Sequence, residues 1–595
     1  MFRKLVTATI LKRTTTLKSG TYPLMKEKNF GALASIAEKE EEEYFKKIST
    51  TTTKTTKSSS LSLSPSLSSL SSSFGVQNVG EKFEKLKTVK GGTEKGALIQ
   101  KTRTETDLLG DYEIPIDALY GIATQRAIDN YPITGIKLNH FPEFIRALAY
   151  TKKAAAIANF RLGLIDENVH RAISYACEDL IISNENHKHF IVDMIQGGAG
   201  TSTNMAANEI IANLANTFLG GSIGTYDYVN PNDHVNLCQS TNDAYPTSAK
   251  LAVGLHHEKL VKELKLLINS LRLKGEEFHT IIKMGRTQMQ DAVPMTLGQE
   301  FNAFASSIES DLEYLQRSVR EHLFEVNLGG TAIGTSITAH KDFSKESIKA
   351  LKRMTNLPFR EANDFVEASS STSAFMLFSS VLRRIALKTS KICNDLRLLS
   401  SGPRCGFNEI NLPAVAPGSS IMPGKINPVI PEVMNQVCFQ VVGADTAIMM
   451  ASEHAQLQLN AFEPLIVYNL LNSLDCMSNA LKVLRTKCID GITANEDVCA
   501  ENVKNSIGIV TALLPKIGYK KATLVAKTAL ETNSAVSDVV VMLGFLSEEE
   551  MKRALNIESM TGVVSGDSVE KRKLYPNRGV DIDTPQLFWS YAYHQ

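Results

Sequence analysis

Between residues 248 and 400 apolar side chains return every three or four positions, and this period limits the fold more than any other feature. Leu260, Leu264, Leu267, Ile268 and Leu271, with lysines and glutamates between them, lay one apolar stripe along a helix and leave its other side to water. Residues 143–215 carry a similar helical pattern, and prolines mark the edges of these stretches at Pro142, Pro246, Pro294 and Pro358. Successive helices of roughly 20 residues or more, each with a stripe to bury, predict a mostly α chain built on a long central helical bundle. Strand signals are weak and short.

The ends do not share this pattern. Residues 1–37 hold seven Lys/Arg and one acid, Glu27. With Phe2, Leu5, Val6 and Leu11 they form an amphipathic, acid-poor start that resembles a mitochondrial presequence, a disordered basic tail being the alternative. The mitochondrial matrix is therefore the expected location and the cytoplasm the second choice. After the acidic patch Glu38 to Glu43, residues 49–73 are Ser or Thr at 18 of 25 positions, too polar to offset the entropy of ordering. The division that follows is a basic segment and linker over 1–95, an N-terminal domain over 96–241, the central bundle over 242–490, a small helical domain over 491–570 and an irregular tail over 571–595. In the small domain Pro515 and Gly518 break the first helices.

Composition removes several classes of function. The 64 basic and 63 acidic residues nearly cancel, which gives no electrostatic reason for nucleic acid or an anionic membrane as partner. No uncharged apolar run reaches the ~18–20 residues that span a bilayer. The eight cysteines form no CxxC pair and read as reduced, mostly core thiols, without a zinc or disulfide pattern. His187 and His189 form an HxH pair that reads as solvated surface. Gly92 to Gly96 is not a phosphate loop, and no Ser-His-acid set can be nominated.

Four polar segments interrupt the helices. Gly197 to Asn204 (GGAGTSTN) combines glycines, which let backbone approach a ligand, with donors on Thr201, Ser202 and Asn204; a capped polar loop explains it equally well. Asn236 to Thr247 places Ser240, Thr241 and Asn242 side by side, a ligand-binding row or a helix cap before Asp243. Gly285 to Pro294 reads in isolation as a turn between helices, with an Arg286–Asp291 pair and with Thr287 and Gln288 free to face a ligand. The fourth, Gly418 to Pro428 (GSSIMPGKINP), is the most telling. Pro417, Pro423, Pro428 and Pro431 forbid a continuous helix, and Gly418 and Gly424 permit sharp turns. Two serines, a lysine and an asparagine are thus held in an irregular loop between long helices, where function concentrates.

Together and in this order the four segments resemble the fumarase/aspartase superfamily, whose signature GSSIMPGKINP closely matches. The resemblance runs from about Thr104 (TETDLLGDYEIP) to about Gly562. It implies a three-domain, mostly α fold, a homotetramer with a twenty-helix core, and active sites each assembled from three chains. Within the superfamily, the run from Ser390 to Val441, with GQEF (298–301), NLGGTAIGT (327–335) and NSIGIVT (505–511), is more similar to aspartases than to fumarases. Fumarases typically have His at the place of Asn230, Ser-Ser-Asn at Ser240-Thr241-Asn242, and Gly-Arg-Thr-His at Gly285-Arg286-Thr287-Gln288. That last His pairs with a glutamate, matching Glu432, to activate water; Gln288 cannot carry a proton so, although some aspartases keep the His.

The resemblance implies a carbon–nitrogen lyase acting on a small dicarboxylate, with a hydratase of malate and fumarate as the alternative and a catalytically silent relative as a remote one. Ser419 would be the base, with Lys425 supplying nearby positive charge. Thr201, Ser240, Thr241 and Ser420 would hold the carboxylate that becomes an enediolate; Thr287, Lys425 and Asn427 would hold the other. Asn242, Thr201 and Gln288 would hold the amino group. The chemistry requires no cofactor, and the sequence offers no ligand cluster for a metal.

Overall fold

The computed structural model describes residues 101–562. The presequence-like segment, the Ser/Thr-rich linker, Gly92 to Gly96 and the 571–595 tail lie outside these residues. The described chain opens with an antiparallel hairpin, β1 (Thr102–Asp107) and β2 (Gly110–Pro115). Four helices follow: α1 (Ile122–Asn130), α2 (Pro142–Arg161), α3 (Glu167–Ile182) and α4 (Thr201–Phe218). Pro142 opens α2, where its missing N–H costs nothing. α1 has no cap of its own; the buried Glu209 of α4 accepts from the N–H groups of Gly121, Ala123 and Thr124 instead.

The chain then runs down α5 (Thr241–Glu277), turns through β3 (Ile282–Thr287) and β4 (Gln290–Thr296), and returns along α6 (Leu297–Ser318). A stretch poor in regular structure holds β5 (Glu325–Val326), α7 (Phe343–Thr355), β6 (Arg360–Glu361) and α8 (Phe365–Ser370). The helical pattern expected across 248–400 is therefore interrupted twice, by the hairpin and by this stretch. Beyond it lie α9 (Ser373–Leu399), β7 (Ile410–Asn411), α10 (Val429–Glu453), α11 (Glu463–Lys487) and β8 (Thr493–Ala494), which pairs with β7.

Five helices close the bundle: α5 packs on α6, α6 on α9, α9 on α10, α10 on α11, and α11 on α5. α6 starts where α5 ends, since Leu297 N donates to Ile281 O at 2.8 Å and Gly298 N to Phe278 O at 2.9 Å. One continuous core runs from Ile114 to Ile492, and a second joins α12 (Glu496–Asn505), α13 (Val510–Thr532), α14 (Val536–Met542), α15 (Glu548–Ala554) and, at its margin, α16 (Ile557–Thr561) to Met284 of β3.

Two prolines sit where the period misplaced them. Pro246 lies inside α5 rather than at its edge, and the carbonyl it leaves unpaired, Asn242 O, accepts from Asn327 Nδ2 at 3.1 Å. Pro294 lies in β4. Gly518, with φ +77°, kinks α13 as expected. All eight cysteines are free and six are buried; Cys405 is exposed and Cys476 half-buried. His187 departs from the surface reading: it is buried, its Nε2 2.8 Å from Leu180 O. Among the described residues no helix is long and apolar enough to cross a membrane.

Candidate active site

The first group of candidate residues stands where two helices begin side by side. α4 begins at Thr201, after Gly200. Gly200 has φ +87°, and a Cβ on it would lie 2.4 Å from the Tyr245 ring, so the backbone reaches this junction only as glycine. α5 begins at Thr241 with a capping box: Ser240 Oγ accepts from Asn242 N at 3.2 Å, and Asp243 accepts from Ser240 N at 3.0 Å. Asp243 is fully buried and accepts also from Gly329 N and Thr331 N at 3.0 and 2.8 Å. Burial pushes its carboxyl up to about 6 against these donors.

The side chains here divide by what they still offer. Thr201 gives its one hydroxyl proton to Gly198 O at 2.7 Å, and Asn242 gives an amide N–H to Ala332 O at 2.7 Å. Their oxygens are left to accept. Ser240 already accepts from Asn242 N, and Thr241 accepts from Asn204 Nδ2 at 3.2 Å. Their hydroxyl protons are left to donate. Lone pairs suit an ammonium, and protons suit a carboxylate. Asn204, expected to face a ligand directly, is instead buried between Thr241 and Asn236.

The second group is a β-hairpin tip, not a turn between helices. Thr287 and Gln288 are exposed at the end of β3–β4, where Gln288 and Met289 take φ of +53° and +64°, the two positive values of a tight hairpin turn. Arg286 and Asp291 are register partners but do not pair with each other. Arg286 reaches Glu409 at 2.7 Å and stacks on Phe407, its guanidinium carbon 4.2 Å from the ring centroid, while Asp291 accepts from Ser506 Oγ at 2.7 Å. Glu409, fully buried and also 3.0 Å from Lys283, escaped the sequence reading because nothing near it in sequence carries its partners.

The third group is the loop before α10. Gly418 N donates to Lys425 O and Asn427 Nδ2 to Gly418 O, both at 2.7 Å, which pinches the loop shut. A Cβ on Gly418 would lie 2.2 Å from Lys425 O. Within the pinch Ser419 Oγ accepts from Ile421 N at 3.2 Å and from Met422 N at 3.1 Å. Two N–H groups aimed at one oxygen favour its anionic form. Ser420 and Lys425 are exposed, and the loop, with Ala414 to Pro417, curls around a cavity of ≈ 520 Å³. Asn427 keeps a second amide hydrogen for a ligand. Glu432 lies 3.9 Å from Arg397. No group of His, Cys, Asp and Glu among the described residues is placed to hold a metal ion.

Among the described residues no hydrogen bond or ion pair joins these three groups. α5 explains part of the separation. It has 37 residues, about 55 Å at ~1.5 Å per residue. Thr241 stands at its start and Thr287 in the hairpin beyond its end, so one chain cannot bring both to a substrate a few ångströms long.

Comparison with known proteins gives a consistent picture. Residues 110–443 match the Lyase family and residues 509–562 the Fumarase C C-terminus. An aspartate ammonia-lyase of Pseudomonas aeruginosa is 53% identical over 462 residues, covering 78% of this chain and 97% of that protein. Its counterpart in Escherichia coli K12 is 49% identical over 458 residues, 77% of this chain and 96% of that protein. The fold is similar to a fumarate lyase:delta crystallin from Brucella melitensis, with TM-score 0.75, 49% identity and coverage of 77% and 99% of the two chains. It is similar also to a class II fumarase from Schistosoma mansoni, with TM-score 0.73, 32% identity and coverage of 77% and 98%.

Proposed function

The chain belongs to the fumarase/aspartase superfamily, and on that premise we propose that it eliminates ammonia from L-aspartate to give fumarate, reversibly. Several aspartate ammonia-lyases at 49–53% identity over most of the chain support this activity. One structural observation carries it: at the paired helix starts Thr201 and Asn242 offer oxygens while Ser240 and Thr241 offer protons. An α-amino dicarboxylate presents both complements, an ammonium and a carboxylate.

Ser419 removes the proton next to the side-chain carboxylate. Its alkoxide is stabilised by the N–H groups of Ile421 and Met422 and by the charge of Lys425. The electron pair moves into the carboxylate held by Ser240, Thr241 and Ser420, whose hydrogen bonds strengthen as the enediolate forms, while Thr201, its own proton on Gly198 O, accepts from the ammonium; such donors each contribute roughly 2–4 kcal/mol. Collapse of the enediolate expels ammonia. Thr287, Lys425 and Asn427 hold the other carboxylate, and Gln288 joins Asn242 at the amino group. Gln288 also argues against hydration, because an amide cannot relay a proton to activate water.

A homotetramer with sites shared among three chains accounts for the separated groups. Five bundle helices per chain would give four chains twenty. Val433, Phe439, Met449 and Met450 expose an apolar side of α10 that a second copy would cover. The domain boundaries at 95, 241, 490 and 570 remain part of this proposal. Location in the mitochondrial matrix rests on residues 1–37 alone, with the cytoplasm as alternative; sequencing the mature amino terminus tests it.

The activity is tested by offering the purified protein L-aspartate and, separately, malate, while fumarate absorbance is followed. Turnover of aspartate is expected. Turnover of malate without aspartate would replace the assignment by fumarate hydratase, and no turnover of either would leave a silent relative.

A further inference from the structure

Behind Thr241 lies a buried lysine that the mechanism above does not use. Lys152, in the middle of α2, has no exposed surface. Its Nζ donates to Asn236 Oδ1 and to Gln239 Oε1, both at 3.0 Å. Asn236 Oδ1 accepts at the same time from Asn204 Nδ2 and from Asn208 Nδ2, each at 3.2 Å. Lys152 Nζ on its oxygen and Gln239 O, which accepts from Asn236 Nδ2 at 3.2 Å, fix which way that amide points.

The direction propagates. An amide nitrogen has two hydrogens, and Asn204 spends one on Asn236 Oδ1. The other lies on Thr241 Oγ1 at 3.2 Å. Thr241 must then accept from Asn204, and its own proton points away from the protein framework. Asn204 Oδ1 is buried without a protein partner. That cost, of the kind structures usually avoid, shows that the orientation is imposed rather than chosen by Asn204 itself. With no N–H donor at Lys152, only the longer bond from Asn236 Nδ2 to Gln239 O, at 3.2 Å, would hold Asn236 this way round, and the amide could turn over and present its nitrogen. Asn204 would turn in response to present its oxygen, and Thr241 would then donate inward, losing the proton a carboxylate needs.

We propose that Lys152 is a positioning residue for the substrate carboxylate: through Asn236 and Asn204 it sets the direction of the hydrogen-bond chain and so turns the Thr241 proton towards the ligand. This rests on the reading of Thr241 as a carboxylate ligand. Burial lowers the Lys152 ammonium to about 7, opposed by Asp243; charged or neutral, its nitrogen keeps N–H groups for both Asn236 and Gln239.

The test is a double-mutant cycle on the full-length protein, with kcat and KM for L-aspartate measured in parent, Lys152→Met, Thr241→Val and the double variant. If Lys152 acts through Thr241, Lys152→Met lowers kcat/KM roughly 10- to 100-fold in the parent, short of the roughly 10²- to 10³-fold that outright removal of one oxyanion donor costs. The same change has little further effect once Thr241→Val is present. Equal losses in both backgrounds, or a loss that follows only the folded fraction, would overturn the proposal. Thr241→Val with near-parental kcat/KM would overturn the reading of Thr241 itself, and the Lys152 proposal with it. Should Lys152→Met not fold, Asn204→Leu replaces it in the same cycle with the same expected non-additivity.

Discussion

The paired starts of α4 and α5 and the loop at 418–428 carry parts of one proposed site, yet they are held in opposite ways. At the helix starts most candidate side chains are braced by another element, Thr241 by α4 through Asn204, Asn242 by Ala332, and the Ser240 cap through Asp243 by Gly329 and Thr331, while Thr201 bonds Gly198 O. The loop is tied only to itself, by Gly418, Lys425, Asn427 and the turn at Ser419. The difference separates two tasks. The proposed carboxylate pocket is fixed before substrate arrives, as electrostatic stabilisation requires. The proposed base, Ser419, sits on an element that can move without disturbing the bundle, as a lid requires.

Variants can break this contrast, beginning with the largest effect. Ser419→Ala should lower kcat by ~10³-fold, within the range for a lost general base, with an unchanged thermal midpoint. A rate within tenfold of the parent would remove Ser419 as the base. Gly418→Ala should press a methyl group into Lys425 O and open the pinch, lowering kcat roughly 10- to 100-fold by misplacement, again without loss of stability. Gly200→Ala should show the reverse signature. Its positive φ and the Tyr245 ring make the methyl cost ~1–3 kcal/mol of stability, read as a lower denaturation midpoint; an unchanged midpoint would mean that the helix junction is not the rigid partner.

The smallest effect is one of pH. His256 of α5 is buried between Glu143 of α2, 3.1 Å from Nδ1, and Asp475 of α11, 3.0 Å from Nε2. Burial alone would lower its pKa, but the two carboxylates raise it to about 9. A pKa raised by folding stabilises the fold fully below the unfolded value near 6.5, and the contribution is lost as pH rises through about 9. Because both carboxylates are partly solvated, about 1–2 kcal/mol is expected rather than the full shift. The stability difference between the parent and His256→Gln should therefore be present at pH 6 and vanish above pH 9, while the Ser419 loop is unaffected. A difference independent of pH would show that the imidazole is not held charged.

Sequence patterning reached some of these features and missed others for identifiable reasons. The long helices were legible because an apolar stripe repeats with the helical period. The 418–428 loop was legible because prolines and glycines are local instructions. The hairpin at 282–296 was not, because its strands are braced by distant partners, Arg286 by Glu409 and Asp291 by Ser506, rather than by alternating residues. His187 looked solvated because nothing adjacent reveals its bond to Leu180 O. Lys152 gave no signal for the same reason: its meaning lies in Asn236 and Gln239, more than eighty residues away.

The length of α5 has a consequence for how the enzyme would be measured. With Thr241 at one end and Thr287 past the other, a solitary chain would, on the proposed assembly, hold fragments of several sites and the whole of none. On the proposed assembly, specific activity is therefore a function of protein concentration: below the dissociation constant of the subunits, dilution would extinguish turnover in chains whose own fold is intact.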